Sequence, residues 1–131
     1  MLGIWHGGLR NTEGVYVDKA GKNETIEISG LICPLPQHVG KTGDIYVGLT
    51  MTSEGSYAYG FLRPDGQLSQ DPVAFRESIL LNTEVPLTIF SGIVGFTVSK
   101  AEIFVGYSVT SEAEQTRQVY ADLPGIRFSV E

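Results

Sequence analysis

Asp44-Ile45-Tyr46-Val47-Gly48-Leu49-Thr50-Met51 returns in kind as Glu102-Ile103-Phe104-Val105-Gly106-Tyr107-Ser108-Val109. Each stretch runs acid, Ile, aromatic, Val, Gly, variable, hydroxyl, apolar. Successive side chains of a strand point to opposite faces, so Ile45, Val47, Leu49 and Met51 share one side while Tyr46, Gly48, Thr50 and Thr52 share the other. Ile103, Val105, Tyr107 and Val109 repeat the apolar side. The pattern predicts two equivalent strands near the middle of their sheets, each with a core side and a semi-polar outer side. A Gly at the same point in both marks a bulge or a close backbone approach. This signal is structural, and no catalytic motif in the chain equals it.

Period-two alternation continues on both sides of the repeat. It predicts strands over residues 14–18, 25–32, 44–52, 56–63, 77–81, 86–90, 102–110 and 126–130. Turn residues separate them: Lys19-Ala20-Gly21-Lys22-Asn23, Gly40-Lys41-Thr42-Gly43, Ser53-Glu54-Gly55 and Arg63-Pro64-Asp65-Gly66. Asp71-Pro72-Val73-Ala74-Phe75-Arg76-Glu77 reads as a short helix, with Asp as its cap and Pro in the first turn. Residues 111–118, polar and free of Gly and Pro, read as a long loop or one helical turn. The fold class is therefore all-β, an antiparallel β-sandwich of about seven or eight strands. Residues 13–131 form one domain. Residues 1–12 read as an N-terminal arm, with Ile4 and Trp5 as the anchors it would offer a neighbouring molecule.

The bulk numbers agree with one globular domain. A chain of 131 residues buries roughly two thirds of the surface its unfolded form exposes. Hydrophobic residues at 42% and charged residues at 18%, with 16 glycines and 6 prolines, suit a turn-rich β protein. The net charge of −6 repels phosphate backbones and anionic lipid heads, which argues against nucleic acid as a partner. No apolar run approaches the ~20 residues that span a bilayer, so no membrane insertion is expected. Met1-Leu2-Gly3-Ile4-Trp5 is too short for a signal core and lacks a basic start.

Tests for chemistry come out weak. Cys33 is the single cysteine, so no intrachain disulfide and no thiol pair is available, and it reads as a small buried hydrophobe. His6-Gly7-Gly8 matches part of an esterase oxyanion loop, but the chain has no Gly-x-Ser-x-Gly elbow. Ser108 sits inside a predicted strand, and prolines 34 and 36 hold Cys33 and His38 apart. Two distant histidines and one cysteine give no transition-metal set. Glu112 with Glu114, or Asp65 with Asp71, are acidic pairs for calcium without an EF-hand pattern. No catalytic residue, metal ligand or cofactor is assigned, and the chain reads as a non-enzyme. Tyr57, Tyr59 and Phe61 share one strand face, as a glycan platform, a core or a subunit interface all require. Asn23-Glu24-Thr25 is a glycosylation sequon, meaningful only on a secretory route.

Val39-Gly40-Lys41-Thr42-Gly43-Asp44-Ile45-Tyr46-Val47, residues 61–68 with Pro64-Asp65-Gly66, and residues 90–109 ending Ile103-Phe104-Val105-Gly106-Tyr107 together resemble a β-sandwich domain of bacterial secreted, surface and pilus-associated proteins. The resemblance spans about the last three quarters of the chain and rests on scaffold motifs. It implies an extracellular or cell-surface location and a structural subunit or interaction module of a pilus or filament. Its partners would be other protein subunits, by self-assembly or with a partner pilin. One version is the globular part of a split type IV pilin. The alternative is a glycan- or calcium-binding module of a secreted protein, using Tyr57, Tyr59 and the acidic loops.

Overall fold

The computed structural model describes residues 4–110, 119–121 and 125–131. In chain order the strands are β1 (Trp5–Arg10), β2 (Tyr16–Val17), β3 (Lys19–Ala20), β4 (Thr25–Ile32), β5 (Thr42–Ser53), β6 (Ser56–Leu62), β7 (Leu68–Ser69), β8 (Arg76–Leu80), β9 (Val85–Ile93), β10 (Val98–Val109), β11 (Tyr120–Ala121) and β12 (Ile126–Val130). A single 3-10 turn, Pro36–His38, is the one helical element among the described residues. The first sheet has the order β2-β1-β4-β9. The second runs β3-β12-β10-β5-β6-β7, with β11 and β8 extending the pairing along β10 and β5. All pairs are antiparallel except β3 with β12. The two sheets pack as a β-sandwich.

The repeat explains the centre of the second sheet. β5 and β10 are direct neighbours, and Val47 stands opposite Val105. Around that pair the register is symmetric: Tyr46 faces Gly106 as Phe104 faces Gly48, and Ile45 faces Tyr107 as Ile103 faces Leu49. Thus the two similar stretches pair with each other about a local two-fold, the aromatic of one opposite the glycine of the other. Gly48 then sits against Phe104, whose atoms would lie 3.8 Å from a side-chain carbon there. Gly106 is instead covered by Val119, Tyr120 and Ala121, so the two-fold is broken by β11.

The core is built by alternation on both layers. β4 contributes Ile26, Ile28 and Ile32, β1 Leu9, and β9 Val85 and Leu87. Opposite them lie Ile45, Val47, Ile103, Val105, Tyr107 and Val109. Burying each large aliphatic chain is worth about 1.5–3 kcal/mol, and this set holds the sheets together.

Four elements differ from the sequence expectation. Residues 5–10 are not a loose arm: β1 lies between β2 and β4, and Leu9 is fully buried. The glycine-rich stretch forms a strand because Gly7 and Gly30 face each other so closely that a side-chain carbon on Gly7 would come within 2.8 Å of the Gly30 Cα. The predicted helix at residues 71–77 does not form: residues 71–75 have no regular structure, and Arg76 and Glu77 open β8. Phe75 is buried, its amide donates to the Ile45 carbonyl, and β8 follows along β5 beyond the end of β6. Lys19 and Ala20, read as turn, pair in parallel with Ser129 and Val130. The strand expected at residues 14–18 shrinks to Tyr16–Val17. The hairpin at Ser53-Glu54-Gly55 forms as read, with Ser53 opposite Ser56 and positive φ at both Glu54 and Gly55. The loop expected at residues 111–118 lies outside the described residues.

Candidate functional site

The outer face of the second sheet gathers an aromatic strip. Along β6, Tyr57, Tyr59 and Phe61 stand opposite Thr52, Thr50 and Gly48 of β5. Those in turn stand opposite Lys100, Glu102 and Phe104 of β10. Tyr57 and Tyr59 are 63% and 54% exposed, with ring centroids 5.7 Å apart. Phe61 meets the Tyr46 ring edge-on at 6.4 Å. Between Phe61, Tyr46, Phe104 and Val119 opens an apolar groove of ≈240 Å³ with Gly48 in its lining. A glycine opposite a large aromatic is what leaves this depression.

Two further features adjoin the strip. β7 pairs only with Phe61 and Leu62, which leaves the outer edge of β6 over residues 56–59 without a strand among the described residues. Gln70 Nε2 donates to the Tyr59 carbonyl there, at 2.9 Å. On the far side of the face, Glu102 accepts from Arg127 at 3.2 Å and from the Gly125 amide at 3.1 Å. The acid of the second octapeptide is thereby neutralised beside the aromatic rings.

Ile4 and Trp5 belong elsewhere than the sequence suggested. Ile4 is 8% exposed and part of the core. Trp5 packs against that core, its ring filling the space where side-chain carbons of Gly7 and Gly30 would stand. Neither projects as an anchor, because both side chains are packed on the core and Trp5 is paired with Ile32 of β4.

The two histidines are far apart in role. His38 is buried, with Nδ1 2.7 Å from the Tyr107 hydroxyl. That hydroxyl also accepts from the Leu35 amide at 2.9 Å, and the His38 tautomer sets which of Nδ1 and the hydroxyl donates to the other. The Tyr120 ring lies 4.5 Å from the His38 ring and 5.3 Å from Tyr107. This group pins the loop after β4 onto β10. His6 is exposed on β1. Cys33 is half-buried, its amide donating to the Ile4 carbonyl. Ser108 is buried, and its hydroxyl has no partner among the described residues.

Among the described residues no group of three or more His, Cys, Asp and Glu forms. Asp65 instead caps its turn, accepting from the Gln67 amide. Glu112 and Glu114 lie outside the described residues. No described helix is long and apolar enough to cross a membrane. Comparison with known proteins matches the chain to no family model, no curated protein and no solved structure.

Sequence reasoning found Tyr57, Tyr59 and Phe61 on one face and placed Tyr46 and Gly48 on an outer side, but it missed Phe104 and the groove that joins the two sets. The signal for Phe104 was in the repeat, whose aromatic third and glycine fifth positions fall on the outer side. What joins them to β6 is strand order, which no local pattern encodes.

Proposed function

We propose that the protein is a non-enzymatic structural subunit that assembles with further copies of itself through the aromatic face of the second sheet. The observation that carries this is the exposed Tyr57–Tyr59 pair beside the Tyr46–Phe61–Phe104 groove, contiguous with an edge of β6 that no strand among the described residues covers. Tyrosines with wide apolar faces and a hydroxyl tip dominate the energetics of protein interfaces. A free strand edge adds backbone hydrogen bonds to such a contact. The resemblance of residues 39–47, 61–68 and 90–109 to pilus-associated and surface sandwiches supports a bacterial filament or cell surface as the setting. Contact by a free N-terminal arm has no part in this reading, because β1 is interior to its sheet.

The test is light scattering over a concentration series, comparing the native chain with Tyr57→Ser/Tyr59→Ser. The native mass should climb above that of a monomer as concentration rises, and the double variant should stay monomeric with an unchanged circular dichroism spectrum. A native chain that is monomeric throughout, or a variant that assembles equally well, removes the proposal.

A further inference from the structure

The first sheet carries a different kind of surface on the opposite side of the molecule. Leu9 points into the core, so His6 and Arg10 point away from it. Across this outer face runs a trough of ≈830 Å³, lined by His6, Arg10, Tyr16, Ser29, Pro86 and Thr88 among others. That volume lies within the roughly 300–1,000 Å³ of small-molecule sites.

Arg10 is held ready for an acceptor. One of its terminal nitrogens donates to the Tyr16 hydroxyl at 2.8 Å, and its guanidinium lies 4.7 Å over the Tyr16 ring. The same hydroxyl holds the Arg10 pKa above its ordinary value, so the group is always charged. Its Nε is shut off from water and has no partner. Glu27 stands opposite Arg10 in register, yet its carboxylate takes the Ser29 hydroxyl at 2.9 Å, and the two form no ion pair.

The surroundings define the ligand. A guanidinium presents a planar fork that matches a carboxylate in two-point fashion. A single arginine beside Glu27, on a chain of net charge −6, favours one negative charge over a doubly charged phosphate. Tyr16 and Pro86 offer flat apolar surface, and Thr88 offers a hydroxyl. Apolar faces alternating with hydroxyls are what a sugar ring presents in return. We propose that this trough binds a saccharide bearing a carboxylate, of the uronic acid type, with Arg10 on the carboxylate and Thr88 on a ring hydroxyl.

The probes are an oligogalacturonate and its methyl ester, which keeps the shape and removes the charge. In amide and arginine Nε–H NMR spectra of the full chain, millimolar oligogalacturonate should shift Gly7, Ser29, Gly30 and the Arg10 side chain, and the ester should not. Arg10→Gln should weaken binding at least about tenfold, equal to about 1.4 kcal/mol, without changing the melting temperature. Tyr16→Phe keeps the ring, removes the hydroxyl that holds Arg10, and should weaken binding as well; it serves if Arg10→Gln fails to fold. Absence of shifts at these residues, equal binding of acid and ester, or undiminished binding by the variants overturns the proposal.

Discussion

Two glycines of one strand, Gly43 and Gly48 of β5, have opposite tolerance in this molecule, because their neighbours differ. A side-chain carbon on Gly43 would lie 2.0 Å from the Ser108 carbonyl oxygen and 3.1 Å from Leu81 Cδ1. Backbone cannot yield as a flexible side chain can, so Gly43→Ala should cost about 2–3 kcal/mol or more. At Gly48 the nearest atoms, all from Phe104, lie at ordinary contact distance. Gly48→Ala should therefore change stability by less than about 0.5 kcal/mol, since alanine also reduces the freedom of the unfolded chain. Urea denaturation of both variants checks the contrast, and equal losses would show that the close approach at Gly43 is not what constrains it. Tyr107 makes a second test. Tyr107→Phe keeps the ring in the core but strands the Leu35 amide and His38 Nδ1, and should cost about 1–3 kcal/mol by the same measurement.

Strand β1 shows how an element's position overrides its local appearance. Trp5-His6-Gly7-Gly8-Leu9-Arg10 has poor strand propensity, with two adjacent glycines. It is nonetheless paired over its whole length with β4, and over Leu9 and Arg10 also with β2. Removing residues 1–12 would expose the β4 edge and open the space that Leu9 fills. The truncated chain should fail to fold, seen as loss of amide dispersion in NMR, where a detachable arm would leave a folded domain. Leu9→Ala, a milder form of the same change, should cost about 2–5 kcal/mol. The edge strands differ in their protection. β2, β3 and β7 are two residues each, too short to recruit a neighbour. β9 is longer but carries Pro86 and a register shift against β4 at Ile28/Ser29, devices that discourage pairing. The tyrosine-bearing part of β6 has neither.

The sandwich as a unit presents two unlike outer faces, aromatic on the second sheet and mixed polar on the first. If copies meet through the aromatic face, folding and association are linked, and the melting temperature should rise with protein concentration. Each copy carries a net charge of −6, so this rise should steepen when salt screens repulsion, the Debye length being about 8 Å near physiological ionic strength. Scanning calorimetry at several concentrations and two salt levels measures both, and a melting temperature that ignores concentration would argue against association. In Tyr57→Ser/Tyr59→Ser the dependence should vanish. The octapeptide repeat, the alternation in residues 25–32 and 126–130 and the Glu54-Gly55 turn were legible in the chain, since side-chain period and turn geometry are local properties. They were enough for an all-β sandwich and for the inward residues of β4, β5 and β10. Residue order could not reveal that the repeats pair with each other, that β1 lies between β2 and β4, that Phe75 and β8 run along β5, or that Phe104 joins Tyr46 and Phe61. Those are contacts between residues distant along the chain, and the close packing of two sheets selects them against weaker local preferences.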